Sequence, residues 1–354
     1  NVISFPSSIY PVTDLTCNYM VQCSSMSQVV YKYSFFLGTA GFCQAFSRHI
    51  SFQPQAVTSK LTSAGVSCRA LSHDVASSVN YLPPTLTSKV GISFTPGGLL
   101  FPYHLGVAKC LAKNGLLATD TSLAGASAGA LAAAVVGCGL DINMAKKLAG
   151  SVFKECRNGG PAFRLKDIVA RGLDNALPEN AHDILNKREG RVTIGVTELF
   201  PRPKGIFVSE FSSKEDLIEV LLGSCHVPFW FSGSPYMYVR GKPTVDGFFA
   251  TPVKHFGAPG IPSADEIIRV TVFPTTSIEV HAEQPGGVIS PDLLDRYSSG
   301  RFLELLNYAL NPGNEVLTEE LFNAGFESGA VWCERYGDAC RKRHEERHGS
   351  SEVA

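Results

Sequence analysis

The chain has 354 residues, of which 44% are hydrophobic and 18% charged, and its formal net charge is −1 at pH 7. Such a chain can bury a full core in one domain of ordinary size, and its balanced charge gives no sign of a nucleic-acid partner. Its ten cysteines show neither C-x-x-C pairs nor the spacing of His and Cys metal ligands, so we expect an intracellular protein with reduced thiols, no metal and no cofactor.

The first 89 residues differ from the rest of the chain in composition. They are rich in serine and threonine, and their only acidic residues are Asp14 and Asp74. This composition is typical of an organelle transit peptide, so we expect import into a plastid and place residues 1–89 outside the folded domain. A disordered tail is the alternative for the segment, and the cytoplasm, a lipid droplet or a membrane surface is the alternative location. Met20 and Met26 are both candidate starts of translation.

The folded part is predicted to open with a strand, a glycine turn and a helix. Residues 90–94 are apolar, Gly97 and Gly98 follow, and apolar residues recur at helical spacing over 103–111. A turn of this kind displays backbone N–H groups toward a bound phosphate or an oxyanion. A nucleotide loop is the rival interpretation, but the chain has neither the G-x-G-x-x-G spacing nor the Gly-Lys-Ser/Thr that such loops use.

Ser127 lies between a predicted strand at 122–124 and an alanine-rich helix at 128–136. Small residues on both sides let the chain bend sharply there, so the hydroxyl projects from the sheet edge as in a nucleophile elbow. The uncharged run 123–140 leaves two alternatives open, which are a transmembrane helix and a buried helix with an incidental serine.

Strands and helices then alternate, which predicts an α/β fold with a mainly parallel sheet. We expect strands at 191–198, 205–210 and 266–273, and helices at 143–156, 165–177, 214–222, 301–310 and 315–346. A capping box from Ser212 to Glu215 begins the third of these helices. Active sites of such sheets collect at the carboxyl ends of strands, where Gly97, Ser127 and Asp246 are predicted to lie.

A serine nucleophile needs a base to take its proton. In an α/β-hydrolase that base would be a histidine, and His255 or His281 follows Ser127 in the required order, but too few strands precede the serine for that fold. The alternative base is Asp246, whose apolar neighbours would raise its pKa by burial. Taken alone, Asp-Gly at this position also fits an ordinary turn.

Residues 90–274 resemble the patatin-like phospholipase family, in particular its adipose-triglyceride-lipase/adiponutrin branch and plant or algal relatives. The motifs occur in the family's order: YHLGVA at 103–108, GASAGAL at 125–131, FSSKEDLI at 211–218 and VDG at 245–247. The resemblance implies a three-layer α/β/α fold and metal-free hydrolysis of acyl esters in triacylglycerols or polar glycerolipids at a membrane or lipid-droplet surface. It also implies that Ser127 is the nucleophile, Asp246 the base, and Gly97 and Gly98 the oxyanion-hole donors.

The glycine turn departs from the family pattern, because Pro96 and Phe101 stand where glycines are usual. Pro96 has no N–H, and losing one oxyanion donor typically costs about a hundred- to a thousandfold in rate. A catalytically weak or inactive lipid-binding scaffold is therefore the alternative function. Transfer of the acyl group to an acceptor other than water also stays open. We expect a core at 90–275, a helical extension at 276–354 and no transmembrane span.

Overall fold

In a computed structural model of the chain, which describes residues 89–278, 280, 282, 286–294 and 302–338, eight strands form one central sheet. The strands are β1 (Val90–Phe94), β2 (Ser122–Ala126), β3 (Val192–Glu198), β4 (Lys204–Val208), β5 (Met237–Val239), β6 (Lys242–Val245), β7 (Glu266–Val270) and β8 (Val288–Ile289). Their order is β5–β6–β3–β2–β1–β7–β8, with β4 also paired to β3.

The run from β3 through β2, β1 and β7 to β8 is parallel, and β4, β5 and β6 join by antiparallel pairing. This confirms the predicted α/β class with a mostly parallel central sheet. The predicted strand at 266–273 ends earlier, at Val270, because the chain then turns at Thr271, whose hydroxyl bonds to the backbone of Phe273.

The α-helices in the described residues are α1 (Phe101–Lys113), α2 (Ala128–Gly137), α3 (Ile142–Arg157), α4 (Leu165–Ala176), α5 (Ala181–Lys187), α6 (Lys214–Ser224), α7 (Thr275–Ile278), α8 (Phe302–Leu310) and α9 (Glu315–Trp332). The predicted long C-terminal helix ends at Trp332 and continues as a π-helical turn, Cys333–Gly337. The remainder of that prediction, after residue 338, lies outside the described residues.

Helix α6 begins at Lys214, as predicted, but its N-cap is Ser213 and not Ser212. The side chain of Ser213 accepts a hydrogen bond from the N–H of Asp216, while the Asp216 carboxylate accepts one from the N–H of Ser212. These two bonds satisfy the N–H of Asp216 in the first turn of the helix and the N–H of Ser212 just before the N-cap. The predicted Ser212–Glu215 box was therefore wrong by one position.

The sheet has a different cover on each face. Helix α1 lies on the face of Phe94, whose ring meets the imidazole of His104 edge-on, and α1, α2, α5 and α6 pack against their neighbours in this layer. On the opposite face, Pro259 and Ile261 cover Ser93 and Gly91 of β1. The sheet thus lies between helices and a segment that contains two short 3-10 helices, Gly247–Ala250 and Val253–His255.

The C-terminal helix α9 is part of the core, because it packs along α1 with backbones almost in contact. A Cβ on Gly106 would lie 2.0 Å from the carbonyl oxygen of Phe322, and one on Gly325 would lie 2.1 Å from that of Tyr103. Glycine is required at both positions for this approach.

The predicted elbow segment is divided between β2 and α2, so the alternative of one membrane helix over 123–140 is wrong. Helix α2 has 10 residues, about 15 Å of rise, which is half of a bilayer core. Among the residues that the structure describes, no helix is both long and apolar enough to span a membrane. The predicted transit peptide lies outside the described residues, apart from Lys89, and the domain limits at 89 and 275 stay predictions.

Candidate active site

Ser127 occupies the sharp turn between β2 and α2, with φ 54° and ψ −127°. A residue other than glycine rarely adopts such a conformation, and strain of this kind is found mostly at functional sites. Close packing on both sides maintains the turn. A Cβ on Gly125 would lie 2.1 Å from the carbonyl oxygen of Gly129, and one on Gly129 would lie 2.3 Å from that of Phe94. The small residues predicted around the elbow are therefore sterically required.

Ser224, the last residue of α6, is hydrogen-bonded to the elbow. The N–H of Ser127 donates to the Ser224 hydroxyl oxygen at 2.8 Å, and that hydroxyl donates to the carbonyl of Gly195 on β3 at 2.6 Å. All three groups are buried, so without these two bonds they would lie in the interior with no hydrogen-bond partner, which is energetically costly. Ser224 was not predicted from the sequence as a residue of the site; its position just after the helix predicted at 214–222 and just before Cys225 was the available signal.

Strand pairing places Ser127 and Asp246 at the same height along one edge of β3, because β2 pairs with its residues 192–195 and β6 with its residues 197–198, while β4 pairs along the other edge. Ser127 comes one residue after Ala126, which pairs with Gly195, and Asp246 comes one residue after Val245, which pairs with Thr197. Because β6 is antiparallel to β3, both residues are level with Val196. Asp246 thus follows a short strand, as predicted, and that strand is antiparallel to β3.

The backbone around Asp246 is fixed by three hydrogen bonds. Its N–H donates to the carbonyl of His226 at 2.9 Å, its carbonyl accepts from the Thr197 hydroxyl at 2.8 Å, and one carboxylate oxygen accepts from the N–H of Phe248 at 2.8 Å. The next residue, Gly247, passes so close to β3 that a Cβ there would lie 2.1 Å from the carbonyl oxygen of Gly195. These contacts direct the carboxyl group toward β2.

The Asp246 carboxyl and the Ser127 hydroxyl meet in a buried environment, with 3% and 7% of these residues exposed. Burial raises the pKa of Asp246 to about 7, and hydrogen bonds from the Phe248 N–H and the Ser127 hydroxyl partly offset that rise. The carboxyl is thus a base whose proton exchanges near neutral pH.

Cys225 also borders this pair, and its thiol lies near the Ser127 hydroxyl and the Asp246 carboxyl. Burial, followed by the charge of Asp246, raises the pKa of this thiol well above its ordinary value. The sulfur therefore stays protonated, which makes it a poor nucleophile beside the serine.

Gly97 and Gly98 form the turn between β1 and α1. Gly98 has φ 53°, and a Cβ there would lie 2.2 Å from the carbonyl oxygen of Ala309 in α8. Among the described residues, neither of the two glycine N–H groups finds an acceptor, and the N–H of Ala128 at the start of α2 is likewise unsatisfied. Since Gly129 packs against the end of β1, the first turn of α2 and the glycine turn lie at the same sheet edge.

His104 fixes the start of the glycine turn. Its Nε2–H donates to the carbonyl of Thr95 at 2.8 Å, and complete burial lowers the pKa of the imidazole to about 4, so the ring is neutral at physiological pH. His226 is neutral for the same reason, with a pKa near 4, and bonds through Nε2 to the carbonyl of Ser234. The structure gives both histidines backbone partners, and His281 lies outside the described residues.

The two departures from the family's glycine pattern have structural roles. The ring of Pro96 packs against Gly257, where a Cβ would lie 2.6 Å from the proline Cγ. Phe101 is the first residue of α1 and its N–H donates to the carbonyl of Gly98. In the part of the chain that the structure describes, no group of three or more His, Cys, Asp and Glu side chains could hold a metal ion.

The sequence is similar to those of known proteins. The Patatin-like phospholipase family model matches residues 92–256, which include the glycine turn, Ser127 and Asp246. The chain is 28% identical over 258 residues to the 1-acylglycerol-3-phosphate O-acyltransferase Pnpla3 of Mus musculus, covering 70% of this chain and 59% of that protein. It is also 28% identical over 255 residues to the Patatin-like phospholipase domain-containing protein 4 of Homo sapiens, covering 67% and 94%.

Among solved structures, VipD from Legionella pneumophila aligns with a TM-score of 0.42 and 13% identity, over 70% of this chain and 67% of that one. The chain spans about three fifths of the length of mouse Pnpla3 and nearly the whole length of the human Patatin-like phospholipase domain-containing protein 4. With the family model covering the elbow, the glycine turn and the Asp-Gly turn, the chain belongs to the patatin-like phospholipase family.

Proposed function

We propose that the protein is a serine acylhydrolase that cleaves the acyl esters of glycerolipids with Ser127 as nucleophile and Asp246 as general base. The approach of the Ser127 hydroxyl to the buried Asp246 carboxyl, whose pKa burial raises to about 7, carries this proposal. Membership of the patatin-like phospholipase family supports the class of substrate.

In the first half-reaction, the Asp246 carboxylate accepts the proton of the Ser127 hydroxyl as the serine oxygen attacks the ester carbonyl carbon. Protonated Asp246 then gives its proton to the leaving alcohol when the bond between the carbonyl carbon and that oxygen breaks. In the second half-reaction, Asp246 takes a proton from water, the resulting oxygen attacks the acyl-enzyme, and the proton returns to Ser127.

The negative charge that forms on the carbonyl oxygen needs donors that are already in place. The N–H groups of Gly97 and Gly98 have no acceptor among the described residues, and the N–H of Ala128 adds the partial positive charge of a helix N-terminus. The N–H of Ser127 is not a donor in this scheme, because it is bonded to Ser224.

The acyl acceptor distinguishes two versions of the same chemistry. The mouse relative is named an acyltransferase, and an alcohol that enters the site in place of water would turn hydrolysis into transfer. Measuring free fatty acid and newly acylated product in one assay with a lysolipid acceptor separates the two. We expect free fatty acid to dominate.

The proposal is tested by measuring fatty-acid release from emulsions of triacylglycerol and of phospholipid with the wild type, Ser127→Ala and Asp246→Asn. We expect release by the wild type and loss of at least a hundredfold in both variants, which circular dichroism must show to be folded. Equal rates in all three would contradict it. No release by any of them, with lipid binding retained, would favour the lipid-binding scaffold. The emulsion that is hydrolysed faster identifies the lipid class.

We also propose, from the composition of residues 1–89, that the protein is imported into a plastid, as in a plant or algal member of the family. A fluorescent reporter fused to this segment should enter plastids in plant cells. A reporter that is diffuse in the cytosol, or on lipid droplets, would contradict the proposal.

A further inference from the structure

Two loops join to form an exposed aromatic surface next to the candidate active site. One loop contains the exposed Phe163, and the other contains the exposed Phe229 and the half-buried Trp230. We refer to these three residues as the aromatic tip. The N–H of Phe163 donates to the carbonyl of Trp230 at 2.7 Å, and the N–H of Lys166 donates to that of Phe231 at 3.0 Å. The tip is therefore one structural unit although its parts are far apart in sequence.

The backbone at the tip is strained in a way that exposes its rings. Phe163 is 65% exposed with φ 66°, and Phe229 is 38% exposed with φ 63°. Bulky residues are genuine outliers at positive φ, and such conformations persist only where the surroundings enforce them. The second loop is closed by bonds from the N–H of Phe229 to Ser234 and from the N–H of Gly233 to Phe229. A rigid backbone thus presents aromatic rings to solvent.

The two loops of the tip carry basic but no acidic side chains, and Asp167 follows immediately after Lys166. The chain has no acidic residue between Arg157 and Lys166, and none between Glu219 and Asp246. The first loop carries exposed Arg164, and the ammonium of Lys166 lies close enough to His226 to lower the pKa of its imidazole. Exposed aromatic rings flanked by basic side chains are typical of segments that enter the interface of an anionic lipid layer.

The tip is continuous with the active-site residues. The second loop follows Ser224, Cys225 and His226 directly, and these contact Ser127 and Asp246 as described above. His226 also donates from Nε2 to the carbonyl of Ser234, at the end of the loop. Phe229 lies only four residues after Cys225 in the sequence, and the Cys225 thiol lies beside Ser127. A surface that contacts the tip therefore also lies near the nucleophile.

We propose that the aromatic tip inserts into an anionic lipid surface and thereby sets the Ser127 site against that surface. Phe163, Phe229 and Trp230 enter the boundary between headgroups and acyl chains, while Arg164 and Lys166 pair with anionic headgroups. The proposal rests on the proposed lipid substrate, since only an interfacial substrate gives the tip a catalytic use.

The experiment measures cosedimentation with vesicles of phosphatidylcholine alone and of phosphatidylcholine mixed with phosphatidylserine. All proteins carry Ser127→Ala, so that the vesicles are not consumed. Phe163→Gly and Phe229→Gly remove a ring and relieve the positive-φ strain, which separates loss of binding from loss of folding. Phe207→Ala is the matched control, because Phe207 is a comparably exposed phenylalanine, 48%, on strand β4.

We expect tighter binding to the anionic vesicles, weakening with added salt, and a loss of about tenfold for each glycine variant, as for an exposed phenylalanine that becomes buried. Phe207→Ala should bind as the parent does. In proteins that retain Ser127, the double glycine variant should lose activity on emulsions and keep it on a soluble short-chain ester.

Unchanged vesicle binding by the double glycine variant, or an equal loss in Phe207→Ala, would overturn the proposal. So would concentration-dependent dimerisation that the same variants abolish while vesicle binding is unaffected, because the tip would then be a contact between copies of the chain. Vesicle binding requires no acyl chemistry. Binding that depends on the tip without any ester hydrolysis would therefore contradict the proposed function and leave the lipid-binding surface in place.

Discussion

The hydroxyl of Ser224 joins the backbone nitrogen of Ser127, 2.8 Å away, to the carbonyl oxygen of Gly195, 2.6 Å away. This serine connects the end of α6 with the elbow and with β3, the strand to which the strands before Ser127 and Asp246 both pair. It thus relates the two residues of the proposed mechanism without touching substrate, which makes it a positioning residue.

Ser224→Ala should lower kcat by about tenfold to a hundredfold with little change in KM, because the elbow loses the bond that fixes its N–H. The two groups left without partners should cost about 1–3 kcal/mol in the free energy of unfolding. Kinetics on a soluble ester and urea unfolding measure both effects. Ser328→Ala is the matched control, since Ser328 is also fully buried and its hydroxyl has no hydrogen-bond partner in the described part of the chain. Equal kcat values for the two variants would contradict the positioning role.

The pH profile should report the Asp246 carboxyl. Its pKa of about 7 means that the base is protonated in mildly acidic solution. We therefore expect kcat/KM on a soluble ester to rise tenfold per pH unit below pH 7 and to level off above it. A profile that is flat between pH 5 and about 8 would show that no group with this pKa acts as the base.

Asp246→Asn should stabilise the folded protein in alkaline solution. Since burial raises the pKa from 3.8 to about 7, the folded state binds a proton more tightly than the unfolded state, and stability is lost as pH rises through this window. The full shift corresponds to about 4 kcal/mol, of which we expect the amide to recover about 1–3 kcal/mol at pH values above 7. Urea unfolding above pH 7 and again near pH 4 measures this gain, which should vanish at the lower pH. The same gain at both would contradict the buried-carboxyl account.

Gly98→Ala should abolish most activity, because the new Cβ would lie 2.2 Å from the carbonyl oxygen of Ala309 and would displace the turn that presents the oxyanion donors. We expect a loss of about a hundred- to a thousandfold in kcat. Gly115→Ala is the control, since Gly115 also has positive φ, 71°, but nothing lies within 4 Å of its Cβ position. That variant should lose about 1 kcal/mol of stability and keep its activity. Similar kcat losses in both would attribute the effect to backbone strain alone.

The sequence predicted those parts of the site that depend on local chain geometry. The strand, the serine and the alanine-rich helix determine the elbow within about twenty residues, and the structure has it where the pattern placed it. Asp246 was predicted after a short strand, but the antiparallel direction of that strand relative to β3 was not predicted, because strand pairing leaves no local signal. Ser224 and His104 were missed as positioning residues, since their partners lie far away in sequence or on the backbone. The same holds for the aromatic tip, which forms only when two distant loops meet.

Reaction of the protein with a fluorophosphonate, followed by mass spectrometry of its peptides, tests the central claim most directly, because only an activated serine reacts at an appreciable rate. We predict one adduct, on Ser127, whose rate of formation rises with pH through about 7, falls strongly in Asp246→Asn and disappears in Ser127→Ala. Folded protein that acquires no adduct on Ser127 above pH 7, or that reacts equally fast when Asp246 is asparagine, would contradict the account.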